Sequence, residues 1–131
     1  MAGIRDRNTK PELVVRSYLH RAGLRFILHK KDLPGKPDLV LRRWRAVVFV
    51  NGCFWHRHSG CSLAYTPKTH APFWLKKLTD NADRDRRNVR RLRREGWRVF
   101  TVWECQVSDR RLMALVRQIM QEPPTNDRRP S

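Results

Sequence analysis

Acidic residues and long apolar segments are both scarce in this chain of 131 residues. Only 12 Asp and Glu stand against 29 Lys and Arg, which gives a formal net charge of +17 at pH 7. The longest apolar run, at 46–50, is far shorter than the roughly 20 residues of a membrane-spanning helix. Residues 1–5 also lack the apolar core of a signal peptide. We therefore expect no membrane segment, and a polyanionic partner: nucleic acid first, an anionic membrane surface second.

Cysteine is scarce as well, and its odd number is informative. Three cysteines cannot all pair within one chain, so the sequence predicts a reducing compartment and thiols that act as ligands. Cys53 and Cys61 flank His58, and Cys105 follows the last predicted strand. Three thiolates and one imidazole are a standard tetrahedral ligand set for structural zinc. The alternative is that Cys105 is a buried apolar thiol and that the spacing of the others is incidental.

The predicted secondary structure has the order α, β, β, β, α, β, α, which is typical of a mixed sheet covered by helices. Helices are expected to begin after Thr9 and after Ser108, with a longer helix over about 73–94. Strands are expected at 24–28, 38–41, 46–50 and 97–103. The chain length fits one domain. We assign a single α/β domain to residues 1–121 and a flexible tail to residues 122–131.

The few carboxylates are candidates for metal binding and proton handling. Asp38 follows a proline at the start of an apolar strand, where it could bind Mg2+ or simply cap a turn. Asp85 falls within the apolar stripe of the long helix, which also contains Leu75 and Leu78. A buried acid there is costly unless it is functional or paired with an arginine. Glu12 shares the inward phase of the first helix, yet it also fits a capping box.

Of the five histidines, His56 has the most informative position. It is the spare histidine of the cysteine-rich segment and could act as a general base near neutral pH. The alternative is an imidazole that supports a neighbouring ligand or is exposed to solvent. His20, His29 and His70 lie in no comparable constellation, and the sequence assigns them no role.

Basic and aromatic residues favour DNA as the polyanion. Arginines crowd the long helix, mostly off its apolar stripe, and include Arg84, Arg87 and Arg91. A solvated face is one interpretation, but acids are too few to pair them, which favours a surface that faces phosphates. Phe54 and Trp55 occur in a polar loop, and Trp74 begins the long helix. Exposed aromatics beside basic residues can wedge between bases, whereas the alternative is packing in a core.

Five segments, in order, resemble the very short patch repair (Vsr) endonuclease family. They are LPGKPD at 33–38, VFVNGCFWHRH at 48–58, NADRDRR at 81–87, GWRV at 96–99 and VWEC at 102–105. The resemblance covers about residues 1–120, and its GCFWH block is highly specific. It implies a restriction-endonuclease-like fold of the PD-(D/E)xK type with a structural zinc. It also implies Mg2+-dependent nicking of DNA on the 5′ side of the thymine in T:G mismatches, which arise by deamination of 5-methylcytosine.

The resemblance also implies roles for individual residues. Asp38 and the backbone carbonyl of Val50 would hold Mg2+, His56 would activate water, and Asp85 and Glu12 would support these groups. The implied zinc ligands are Cys53, His58, Cys61 and Cys105. The implied intercalating aromatics are Phe54, Trp55 and Trp74. The implied partner is double-stranded DNA with a T:G mismatch, bound by a monomer in the bacterial cytoplasm, with mismatch-repair proteins as further partners.

The sequence departs from the family pattern at one position beside these residues. Asn51 stands where relatives often carry a histidine that supports the metal and its water. The Glu-x-Lys half of restriction-type sites also has no counterpart after Val48, as in the family itself. Two other functions remain open: a restriction-type nuclease without mismatch preference, and a zinc-stabilised DNA-binding module without catalysis.

Overall fold

The computed structural model describes residues 9–121, and the predicted tail at 122–131 lies outside them. The regular elements are α1 (Lys10–Arg21), β1 (Ile27–Leu28), β2 (Leu39–Leu41), β3 (Ala46–Asn51), α2 (Ala71–Arg94), β4 (Arg98–Trp103) and α3 (Asp109–Met120). Short 3-10 turns follow β2 and β4. The order predicted from the sequence is therefore confirmed for this part of the chain. None of its helices combines the length and apolarity needed to cross a bilayer.

The four strands form one mixed sheet in the order β1-β2-β3-β4. The pairings of β1 with β2 and of β2 with β3 are antiparallel, whereas β3 and β4 are parallel. The parallel pair is joined by α2, as a crossover connection requires. Because β3 and β4 run in the same direction, their carboxyl ends meet at one edge of the sheet. Asn51, the last residue of β3, lies opposite Trp103, the last residue of β4.

Helix starts follow the caps expected from the sequence. The Thr9 side chain accepts a hydrogen bond from the Glu12 N–H, and Ser108 accepts one from Arg111. Each cap satisfies a backbone donor that the first helical turn cannot pair internally. By contrast, α2 follows His70, whose backbone is left-handed and whose side chain makes no capping hydrogen bond. The predicted start of α2 at residue 73 is therefore two residues late.

Apolar side chains cover both faces of the sheet. On one face, Leu39 and Leu41 of β2 pack with Leu19 of α1 and Ile119 of α3. On the other face, the alternate strand residues Val40 and Val47 pack with Leu92 of α2. This alternation follows from the two-residue period of strand side chains.

Two expectations from the sequence need correction. The first strand covers two residues rather than five, because only Ile27 and Leu28 pair with β2, while Leu24 is buried ahead of it. The apolar stripe of α2 is also narrower than expected, since Leu75 is 48% exposed. The first turns of α2 instead contact the preceding loop through Trp74.

Candidate active site and metal centre

The loop between β3 and α2 contributes to two neighbouring clusters of polar side chains. Two backbone turns shape its first part: the His56 N–H donates to the Gly52 carbonyl, and the His58 N–H donates to the Cys53 carbonyl. The Cys53 N–H is in turn held by the Glu104 carboxylate at 3.1 Å. Because β3 and β4 end at the same edge, the residues that follow them are brought together.

One cluster consists of the three cysteines and one histidine. The ligand atoms of Cys53, His58, Cys61 and Cys105 all lie within 4.8 Å of one another. The Nδ1 atom of His58 is 3.5 Å from the sulfur of Cys53 and 3.3 Å from that of Cys105. Tetrahedral zinc with ordinary bond lengths would separate sulfur and nitrogen ligands by about 3.5 Å. The donor set and its spacing therefore fit a zinc ion.

The environment of the thiols is consistent with a bound cation. Burial raises the pKa of the Cys53 thiol to about 12, so a thiolate there is unfavourable unless a positive charge compensates it. Backbone N–H donation from Leu63 lowers the pKa of the Cys61 thiol. Cys105 is exposed, which contradicts the alternative that it is a buried apolar thiol. Trp103 stacks on the His58 ring at a centroid distance of 4.1 Å and restricts its orientation.

The second cluster lines a cavity of about 340 Å³. Asp38, Val50, Asn51, His56 and Asp85 contribute to its wall. Asp38, directly before β2, is thus brought together with residues of β3, the following loop and α2. Glu12, also predicted as catalytic, is outside the cavity wall and lies beside Asp38. The buried Asn51, the departure from the family pattern, also faces this space.

Asp38 is fixed by the neighbouring strand. Its Oδ2 atom accepts a hydrogen bond of 2.7 Å from the Val50 N–H. The pKa of Asp38 is raised to about 6, because burial and the nearby charge of Glu12 outweigh the Val50 N–H, His29 and His56, which lower it. A cation beside such a carboxylate stabilises its ionised form, which burial alone disfavours. Asp38 is therefore suited to hold a hard divalent ion.

His56 pairs with Asp85 across the cavity wall. The Nδ1 atom of His56 donates to Oδ2 of Asp85, which projects from the middle of α2. This contact explains why an acidic residue, Asp85, occurs among the apolar residues of the α2 stripe. A histidine that donates from Nδ1 to a carboxylate keeps Nε2 as its proton-accepting nitrogen. The pair can therefore act as an oriented general base.

The Glu12 side chain is buried at the start of α1. Its backbone N–H donates to the Thr9 cap, while its side chain is 2% exposed. Oε2 of Glu12 lies 2.6 Å from Nε2 of His29 and 3.7 Å from Arg16. Any residue at this position could donate its N–H to Thr9, so that bond does not test the capping-box alternative, whereas the contact with His29 places the Glu12 carboxylate beside the active site.

The sequence interpretation missed His29. Its Nε2 atom also lies 3.9 Å from Oδ1 of Asp38, and the ligand atoms of Glu12, His29 and Asp38 are all within 4.8 Å of one another. The strand register could have revealed it, because Leu28 pairs with Leu39 and the next residue on each strand end is therefore His29 opposite Asp38. A two-residue strand gives too weak a pattern for that register to be read from the sequence.

The aromatic residues of the loop form a cluster rather than an exposed wedge. The ring of Phe54 lies 5.2 Å from Trp55, 5.7 Å from Trp74 and 5.1 Å from Tyr65. Phe54 is 7% exposed, so the expectation that it is exposed was wrong. These ring contacts cover Phe54, whereas Tyr65 is 51% exposed. The Nε1 donor of Trp55 is buried without a hydrogen-bond partner among the described residues.

The arginines of α2 form an exposed basic surface. The helix carries nine basic and three acidic residues. Arg84, Arg87 and Arg91 are exposed, and their spacing places them along one side of the helix. Arg91 is paired with Glu95 at 3.4 Å, and Arg84 donates to Asn81. Local acids therefore neutralise only part of the positive charge.

Comparison with known proteins places these sites in context. Residues 1–62 match the family model Vsr, described as DNA mismatch endonuclease Vsr. The chain is 50% identical, over 83% of its length and 79% of the relative, to the type II nicking enzyme V.XorIIP of Xanthomonas oryzae pv. oryzae. It is 42% identical to V.NmeAIP of Neisseria meningitidis, with 91% and 88% of the two chains covered. It is 44% identical to the DNA mismatch endonuclease Vsr of Escherichia coli K12, with 84% and 70% covered.

Proposed function

The chain belongs to the Vsr family of DNA mismatch endonucleases and is a DNA endonuclease, and from this premise we propose that it nicks double-stranded DNA on the 5′ side of the thymine in T:G mismatches. The observation that carries the proposal is the convergence of Asp38 with the His56–Asp85 pair on one cavity. We assign the repair of deaminated 5-methylcytosine to this activity. The name of the Escherichia coli relative and the family description support a mismatched substrate.

The reaction requires a proton acceptor and compensation of the phosphate charge. His56 accepts the proton of the attacking water at Nε2, and Asp85 stabilises the resulting imidazolium through Nδ1. Asp38 and the backbone carbonyl of Val50 would hold Mg2+, and Glu12 supports Asp38 from the protein interior. Mg2+ bound there would supply charge compensation at the phosphate and acidify water.

DNA binding is assigned to the arginines of α2 and to the aromatic cluster. Arg84, Arg87 and Arg91 contact phosphates. Phe54, Trp55 and Trp74 insert beside the mismatch, where opening the stack costs less than at a paired step. Since Phe54 is covered by neighbouring rings in the free protein, its insertion requires the cluster to open when DNA binds.

Zinc is assigned a structural role at the four-ligand cluster. Cys53 follows β3, Cys105 follows β4, and His58 and Cys61 belong to the loop between them. A metal bound there ties the loop to both strand ends. His56 lies within the segment that these ligands enclose, so zinc holds the general base in register with Asp85.

The remaining assignments follow the family. The mixed sheet with helices on both faces supports a restriction-endonuclease-like fold of the PD-(D/E)xK type. We further propose a monomer with mismatch-repair proteins as partners, in the bacterial cytoplasm, a location that the bacterial relatives acting on DNA support. A non-catalytic DNA-binding module is at odds with membership of an endonuclease family. The second candidate function is a nuclease without mismatch preference, which is favoured by the relatives named type II nicking enzymes.

A comparison of matched and mismatched duplexes tests the proposal. Labelled duplexes that differ only in one T:G, T:A or C:G pair are incubated with the protein, with and without Mg2+. We expect nicking of the T:G duplex only, and only with Mg2+, and loss of nicking in Asp38→Ala. Equal nicking of all three duplexes would favour the second candidate instead.

A further inference from the structure

The backbone of His29 has an uncommon conformation beside the proposed active site. Its φ angle is +47°, in the left-handed region that residues other than glycine rarely adopt. Its N–H nevertheless donates to the Asp38 carbonyl at 3.0 Å, which continues the pairing of β1 with β2 by one residue. Such a conformation persists where surrounding contacts fix it, and it is enriched at functional sites. Here it turns the side chain from the strand end toward the two acids.

The imidazole of His29 bridges these acids. Nε2 lies 2.6 Å from Oε2 of Glu12 and 3.9 Å from Oδ1 of Asp38. The side chain of Glu12 is 2% exposed and that of Asp38 is 14% exposed, so water gives these carboxylates little solvation. A buried carboxylate needs donors to replace water, and two acids at short range repel each other. His29 supplies a donor to Glu12 and stands beside Asp38.

A neighbouring donor does not replace His29. Arg16 approaches the same Oε2 atom of Glu12 at 3.7 Å, from one turn further along α1. Arg16 belongs to the same helix as Glu12, so this contact does not connect α1 to the residues next to β2. His29 follows β1, hydrogen-bonds Glu12 on α1 and lies 3.9 Å from Asp38, which directly precedes β2, so it connects the two carboxylates.

We propose that His29 is a positioning residue of this active site, which holds the Glu12 carboxylate through a hydrogen bond from Nε2 and thereby keeps it in place beside Asp38 for the reaction. The inference rests on the proposed function of Asp38. His29 acts through Glu12 and makes no contact with the reacting atoms. A hydrogen-bond donor is what this role requires, so an amide of suitable reach can replace the imidazole.

Two substitutions distinguish a requirement for a hydrogen-bond donor from a requirement for the imidazole ring itself. His29→Leu removes the donor, whereas His29→Gln keeps an N–H. In single-turnover nicking of a T:G duplex, we expect His29→Leu to lower the maximal rate by about 10- to 100-fold, with the half-saturating DNA concentration unchanged. His29→Gln is expected to recover most of the rate. Equal loss in both variants would overturn the proposal, because it would require the imidazole itself, for example as a metal ligand.

A double substitution tests the route through Glu12. If His29 acts through that carboxylate, His29→Leu in a Glu12→Gln background causes little further loss, whereas independent residues give multiplied losses. Multiplied losses of rate, or a loss confined to DNA affinity, would overturn the proposal. His20→Leu is the matched control, since His20 is exposed on α1. Thermal melting of each variant identifies loss of folding, and His29→Ala replaces His29→Leu if the latter does not fold.

A measurement without DNA keeps this inference separate from the proposed function. The 15N chemical shifts of the His29 imidazole report whether Nε2 donates to a carboxylate. We expect Glu12→Gln to shift them and His20→Leu to leave them unchanged. If the wild-type protein nicks no T:G duplex, the proposed function fails, and these shifts still decide the contact. Shifts insensitive to Glu12→Gln would overturn the positioning role.

Discussion

Nδ1 of His56 donates a hydrogen bond to Oδ2 of Asp85, and this contact connects the loop after β3 to the middle of α2. The same helix carries the exposed arginines. In the proposed function, the element that binds phosphates therefore also orients the proton acceptor. DNA bound along α2 would lie in a fixed relation to His56, which a base on an unsupported loop could not ensure.

Replacing Asp85 with asparagine should remove this support while preserving shape. The amide cannot stabilise an imidazolium, and it can favour the wrong tautomer of His56. We expect single-turnover nicking to fall by roughly 10²- to 10⁴-fold, with little change in melting temperature. Asp83→Asn, two residues earlier on α2, is the matched control and should nick normally. A wild-type nicking rate in Asp85→Asn would show that Asp85 does not contribute to catalysis.

The ionisation of Asp38 should make stability depend on pH. Its folded-state pKa of about 6 exceeds the unfolded value of 3.8, so the folded protein binds the proton more tightly. The stabilising contribution is therefore complete below about pH 4 and is lost as the pH rises through about 6. Asp38→Asn should be more stable than the metal-free wild type at pH 7–8, by on the order of 2–3 kcal/mol.

Denaturant titrations across pH 4–8 measure this difference. Asn can still accept the Val50 N–H, so the comparison isolates the charge. Mg2+ should stabilise the wild type above pH 6 and have little effect on Asp38→Asn. Equal stability of the two proteins at all pH values would show that burial does not disfavour the Asp38 carboxylate.

Zinc removal should affect folding rather than chemistry alone. The pKa of the buried Cys53 thiol is about 12, and three further ligand atoms lie close to it. A bound metal ion would stabilise its thiolate. We expect one zinc per chain by elemental mass spectrometry, and Cys53→Ser to lose several kcal/mol of stability. His56→Ala, within the same loop, should keep both the zinc and the melting temperature and lose turnover. A purified protein without zinc that melts normally would refute the structural metal.

Charge on α2 should control DNA affinity in a salt-dependent way. Each phosphate contact contributes a slope of roughly 0.9 in the logarithm of affinity against the logarithm of salt concentration. Arg84→Ala, Arg87→Ala and Arg91→Ala should each reduce the slope by about that amount, equally for matched and mismatched duplexes. Arg110→Ala, on α3 across the sheet, should leave the slope unchanged. Unchanged slopes in all the α2 variants would place the DNA elsewhere.

Local sequence signals were sufficient for most of the fold. Thr9 and Ser108 predicted two helix starts because side-chain caps depend on residues close in sequence. The Cys3His set and the Asp85 position were also predicted, since each consists of residue types that stand out from their surroundings. The apolar pattern of α2 wrongly predicted that Leu75 is buried. Burial of a helix residue depends on what packs against the helix, which the pattern does not show.

The contacts between distant elements required the structure. His29 is separated from Glu12 by 17 residues, and only the short pairing of β1 with β2 brings it to Asp38. The contact between Phe54 and Tyr65 likewise depends on the path of an irregular loop. Such paths carry no periodic pattern, so the sequence predicts the residue types of the site better than their partners.

The position of the nick tests the central claim most directly. A duplex with one T:G pair is labelled separately on the thymine strand and on the guanine strand, and the products of wild-type protein with Mg2+ are mapped to single-nucleotide resolution. The proposed function predicts a single break, in the thymine strand, on the 5′ side of the mismatched thymine. Breaks in both strands, or the same break in a T:A duplex, would contradict it.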